Sequence, residues 1–391
     1  MDHQHIIKKR IESIDMVRGV VMVLMALDHV RDYFHIAAKI DDPLNLKTTT
    51  TLLFFTRFTT HFCAPTFVLL SGTSIYLQSL IKSKKELSLF LITRGLWLIF
   101  AEFFIISFAW TFDPFYHTFI LQVIWAIGIS MVILGFLVFL PYRTILSIGL
   151  VIVLGHNLLD FLEASSGFKA SVLLDFLHSG NFKTYRLFEN HKLFIAYPFL
   201  PWTGLMMMGY ALGRLYQPNF NQTKRVKILK ILGLFLLLFF IVLRFVNIYG
   251  DPKPWTLQKD DWVTFLSFID VHKYPPSLLY MSITIGFALL FLAFTENIKN
   301  RFTNTLLVFG RTAFFYYILH LYFIHFFSVV IFSLNEIQTL KSLQLNFPTE
   351  GYNLPGVYIV WITLILILYP ICRWYKTYKS KNKDKWWLSY L

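Results

Sequence analysis

Residues 228–248 read ILKILGLFLLLFFIVLRFVNI, an apolar run carrying only Lys230 and Arg244 as charges. A helix of about 20 residues rises ~30 Å, the thickness of a bilayer core. Lipid offers no hydrogen bonds to a backbone, so only helices or closed barrels can cross it. Barrel strands alternate apolar and polar residues, and this run does not. It predicts a membrane-spanning helix. Nine further runs of similar kind lie at 16–37, 56–80, 88–110, 118–140, 144–163, 194–215, 276–295, 304–332 and 355–374. The whole chain of 391 residues is 56% hydrophobic and 15% charged, where soluble domains carry about 25% charged residues. The expected fold is an all-α polytopic membrane bundle of about ten spanning helices. An eleventh fits only if 165–193 hides a re-entrant segment. No linker, repeat or low-complexity tract divides the chain, so 1–391 reads as one domain: a membrane core over 10–375 and a basic-aromatic tail over 376–391.

The net charge of +14 sits in short loops between apolar runs. This suits orientation and anionic headgroups rather than nucleic acid. With the N-terminus inside, the inner segments hold 20 lysines and arginines and the outer segments 10. Basic residues concentrate on cytoplasmic loops, so both termini are expected in the cytoplasm. The leading MDHQHIIKKRIE is polar and precedes a polar-studded helix; helix 1 is expected to stay as an anchor rather than be cleaved. Cys63 and Cys372 fall near opposite faces and cannot bridge. Metal binding finds no support, since no H-x-x-x-H or carboxylate-rich pair appears.

Ionisable residues inside a membrane are costly and mark sites. The run at 16–37 and its approach hold Asp15, Arg18, Asp28, His29, Arg31, Asp32 and His35. Positions 28, 31, 32 and 35 share a helical face, with His29 at its edge. At 1.5 Å per residue His29 lies roughly 20 Å along the helix, past the bilayer midplane. Other helices bring His61 with Arg57, His156 with Asp160, His320 and His325 to the same outer half. At the inner side Arg18, Arg94, Arg214 and Arg311 each stand beside a glycine. The outer set suits general acid–base chemistry, an Asp fixing the tautomer of a His. The inner arginines suit an anion such as a nucleotide phosphate. The structural alternatives are a histidine that bonds a neighbouring helix and arginines that snorkel to headgroups. GLMMMGYALG (204–213) reads as close packing through glycines, and YPFLPW (197–202), with Trp202, as either an unwound site or an ordinary proline at a helix entrance.

Taken together, SIDMVRGVVMVLMALDHVRDYF (13–34), FTRFTTHFCAPTFVLLSGTSIYL (55–77), YPFLPWTGLMMMGYALGRLY (197–216), KYPPSLLYM (273–281), FGRTAFFYYILHLYFIH (309–325) and the terminal WWLSYL resemble a bacterial membrane family of unknown function. That family is grouped with heparan-α-glucosaminide N-acetyltransferase in a transmembrane acyltransferase superfamily. The catalytic histidine of the eukaryotic enzyme sits in an H-A-x-W-x-G motif; the matching region here, 35–55, lacks the Trp–Gly pattern and offers His35 alone. Helix 1 is also similar to acyltransferase family 3, which carries D-x-x-R-G and a histidine eleven residues beyond the arginine. Asp15, Arg18, Gly19 and His29 match that spacing.

The resemblance implies a membrane acyltransferase moving an acetyl group from cytoplasmic acetyl-CoA to a hydroxyl or amine acceptor at the outer side. In it Arg18, Arg94 and Arg311 would hold the CoA phosphates, and His29 would be the base, oriented by Asp28 or Asp32. His61 and Arg57 would stabilise the oxyanion, with His156, Asp160, His320, His325 and Trp202 as further cavity residues. The expected partners are the lipid bilayer and a small-molecule or glycan acceptor, with a homodimer admitted, and neither metal nor nucleic acid. A proton-coupled transporter or flippase would use the same charged cavity.

Overall fold

The computed structural model describes residues 10–38, 40–169, 171–179, 182–332, 351–382 and 384–389. Lys8, Lys9, Lys39, Lys341 and Lys383 of the loop charges lie outside them. The chain is mostly helical, and each of the ten apolar runs contains a helix. Among the described residues, seven segments are long and apolar enough to cross a membrane. They are α2 (Thr51–Thr60) continued by α3 (Cys63–Ser79), α4 (Lys84–Thr111), α6 (Tyr142–Glu163), α8 (Gln222–Val246), α10 (Leu278–Thr295), α12 (Ala313–Phe332) and α13 (Leu354–Lys381). The other three runs fall short for stated reasons. α1 (Glu12–Phe34) has the length, 23 residues, but carries too much charge. α5 (Val123–Leu137) and α7 (Leu200–Leu212) have only 15 and 13 residues.

Their missing turns are strands. β1 (Thr118–Leu121) precedes α5, and β3 (His191–Ile195) precedes α7. β1 pairs parallel with β3, which pairs antiparallel with β2 (Thr184–Phe188). This small sheet is the departure from an all-α fold. Two of its strands also occupy part of the tract allowed for an eleventh helix; among the described residues of 165–193 there is no further span. The run 304–332 is two helices, since α11 (Arg301–Arg311) ends at Thr312 before α12 begins. In the loop 249–275 lies α9 (Asp261–Ile269).

α1 is the hub, packed against α2, α3, α10, α11, α12 and α13. Its charges are tolerated because helices, not lipid, surround it. α8 is the opposite case: 17% of its apolar stretch is buried, against 78% in α10. The glycines beside the inner arginines have a packing role. A Cβ on Gly310 would stand 1.8 Å from the Asp15 carbonyl oxygen, and one on Gly19 2.0 Å from that of Leu306. Backbone contact between α1 and α11 thus requires both glycines. Gly209 meets Leu69 of α3 in the same way, as the GLMMMGYALG run predicts. Pro201 sits at the entrance of α7, so YPFLPW is a helix start. Cys63 and Cys372 are both buried and unbridged.

Candidate active site

The α1–α11 crossing places Arg18 and Arg311 on either side of Asp15. Arg18 Nη1 lies 3.4 Å from Asp15 Oδ1, and Arg311 Nε 3.4 Å from Oδ2. Arg18 also donates to Ser74 Oγ and, at 3.1 Å, to the Leu70 carbonyl, while Arg311 reaches Glu12 at 3.6 Å. These residues open onto a cavity of about 1650 Å³, larger than the ~300–1,000 Å³ of ordinary small-molecule sites. Arg18, Arg94 and Arg311 all line it, with Arg10, Arg225 and Lys379. The cavity follows α1 from Glu12 to Met25, roughly 20 Å at 1.5 Å per residue. Its deep wall is apolar: Met22, Met25, Val123, Ile127 and Met131, closed by Tyr317.

His29 lies one helical turn beyond Met25. Its Nδ1 is 2.8 Å from His320 Nε2, and the two rings stack within 3° of parallel. His320 Nδ1 is 2.9 Å from the Tyr316 carbonyl. A carbonyl only accepts, so this nitrogen carries the proton. With both rings neutral, His320 Nε2 then accepts from His29 Nδ1–H, and among the described residues the lone pair of His29 Nε2 is free. Trp110 and Tyr317 stand edge-on to His29, at centroid distances of 5.1 and 6.3 Å. Tyr317 thus belongs both to the end of the cavity and to the His29 environment.

The tautomer-fixing role expected of Asp28 or Asp32 therefore falls to His320. Adjacent helical residues point about 100° apart, so Asp28 faces away from His29. Both its oxygens lie 2.6 Å from Arg57 Nη1. Arg31 adds a contact at 3.0 Å and Lys273 one at 3.9 Å. Asp32 pairs with Arg31 at 2.5 Å. Arg57 is thus committed to Asp28, and nothing places its guanidinium against His29. His61 is buried with neither ring nitrogen partnered; Tyr280 donates to its carbonyl at 2.8 Å.

The remaining expectations divide. His325 is a structural latch, donating to the Ala109 carbonyl at 2.8 Å and stacking on Phe112. Trp202 is fully buried against Tyr197. His156 and Asp160 do not pair with each other, because α6 is irregular at 156–157. His156 bonds His178 at 3.1 Å, and Asp160 accepts from Asn157 at 2.6 Å. Sequence reasoning did not single out Tyr317, Trp110, Lys273 or His178 as site residues. Tyr317 was within reach, three residues before His320 on one helix face, and Lys273 opens the KYPPSLLYM stretch.

No curated protein matches the chain. Residues 10–249, well over half of it, match the family model described as heparan-alpha-glucosaminide N-acetyltransferase, catalytic, and the chain belongs to that family of membrane acetyltransferases.

Proposed function

We propose that this protein transfers an acetyl group from cytoplasmic acetyl-CoA to a hydroxyl or amine on a glycan or lipid-like acceptor reaching the site from the other side. One observation carries the reading: a single cavity is lined at its mouth by Arg18, Arg94 and Arg311 and closed at depth by Tyr317, which touches the His29–His320 pair. Guanidinium groups suit phosphates, and the apolar wall beyond them suits an uncharged arm ending in a thioester. The basic loops favour the arginine end as the cytoplasmic one.

In this reading His29 Nε2 takes the proton of the acceptor hydroxyl or amine as its oxygen or nitrogen attacks the thioester carbonyl. The new carbon–heteroatom bond forms, the carbon–sulfur bond breaks, and the proton passes to the departing thiolate. His320 holds the attacking tautomer and shares the charge that builds on the pair. Calorimetric titration of the purified protein with acetyl-CoA tests the donor. Saturable binding weakened about ten-fold in Arg18→Gln, one charge-assisted contact, is expected. Absence of binding to the wild-type protein would remove the proposal.

A further inference from the structure

We propose that Asp160, Glu163 and His178 form a divalent transition-metal site, with zinc as the fitting ion. One ligand atom from each of the three lies within 4.8 Å of the others. Asp160 and Glu163 are one turn apart at the end of α6, and His178 comes from the separate turn Asp175–Ser179. His178 Nδ1 is 2.8 Å from Glu163 Oε1, and its Nε2 is 3.8 Å from Asp160 Oδ1. Tetrahedral zinc with bonds of about 2.0–2.2 Å separates its ligands by about 3.3–3.6 Å, so the three would draw in by up to about 1.5 Å, with a water as the fourth ligand.

Charge supplies an independent argument. The two carboxylates stand in the last turn of α6, where the helix dipole already presents its negative end. Among the described residues neither has a lysine or arginine at ion-pair distance; the basic group at that distance is His178. Their side chains are 15% and 22% exposed, and that of His178 is fully buried. A cluster of that charge suits a cation. The outer shell is also present. His156 Nδ1 holds His178 Nε2 at 3.1 Å, leaving Nδ1 to the ion, as metal-binding histidines are held through their second nitrogen. His156 itself is 3% exposed, and its Nε2 has no partner among the described residues. Asn157 Nδ2 fixes Asp160 Oδ2, while Asn157 Oδ1 accepts from the Leu278 amide at the start of α10. The ion would therefore tie the 171–179 tract to the ends of two helices. The site shares no residue with the acetyl-transfer site.

The test is zinc itself. Full-length protein in detergent, stripped by chelator and re-equilibrated with zinc, should retain one ion per chain by elemental analysis, and its melting temperature should rise on loading. Glu163→Gln and His178→Gln should each weaken binding at least about ten-fold and lose the rise in melting. Should a variant fail to fold, chelator competition on wild-type protein decides alone. Wild-type protein that keeps no zinc, or variants that bind as tightly as wild type, would overturn the proposal.

Discussion

The two polar centres along α1 are built on opposite plans. At its start, Asp15 is shared by Arg18 and Arg311 at 3.4 Å each, beside a large open cavity, with the two guanidinium side chains 20% and 23% exposed. Near its end, Asp28 is gripped by Arg57 at 2.6 Å and by Arg31 at 3.0 Å, with Arg31 only 5% exposed. The first centre has cationic capacity left for a ligand; the second spends its charges on itself. Depth in a membrane protein therefore does not by itself mark a reactive group. The deep Asp28 cluster holds helices together, while the next residue, His29, pairs with His320 and keeps Nε2 open among the described residues.

The largest expected effect breaks the closed centre. Asp28→Ala strips Arg57 of its carboxylate and leaves Arg31 with Asp32 alone, and should cost about 3–5 kcal/mol of stability, read by thermal unfolding in detergent. The double variant Asp28→Ala/Arg57→Ala should lose less than the sum of the single changes. Next, His29→Ala should abolish acetyl transfer in a folded protein. His320→Ala should lower the rate by about 10²–10⁴-fold with donor affinity unchanged, measured by single-turnover transfer and titration. A full rate in His29→Ala would end the contrast between a bracing and a reacting residue. Gly310→Ala sharpens the comparison from the packing side. Its methyl would press on the Asp15 carbonyl and cost about 1–3 kcal/mol, spreading Arg18 from Arg311. The smallest stability change belongs to the open centre. Arg311→Gln should shift unfolding by less than about 1 kcal/mol, as for exposed pairs. Donor binding should nonetheless fall about ten-fold, with a weaker salt dependence.

The helices were legible because lipid imposes a simple rule on them, and every apolar run contains one. Counting spans was harder. α5 and α7 begin as strands, since β1 and β3 find each other across about 70 residues of chain, a pairing that hydropathy does not encode. α1 was legible for the opposite reason: its charges announce a helix that touches other helices. The arginines of the cavity followed from their position near the helix ends. Partners inside the bundle did not follow. The His29–His320 bond joins positions 291 residues apart, and the same residue types would equally have allowed an Asp–His pair. Only the direction of each side chain on its helix decides between them, and Asp28 points toward α2. His178 stayed hidden because its helix turn is short and its neighbours arrive from α6.

The carbonyl of Tyr316 at the back of the histidine pair has a consequence for traffic. A proton landing on His29 Nε2 can relay through the bond to His320, but the next atom in the row is an amide oxygen that cannot take it onward. The row is a cul-de-sac. A charge stored there leaves by the door it entered, back to the molecule that delivered it or to the group departing beside it. A conduit across the membrane needs two exits, and along this row of the described residues there is one. That favours a chemist's lending of protons over a pump's current.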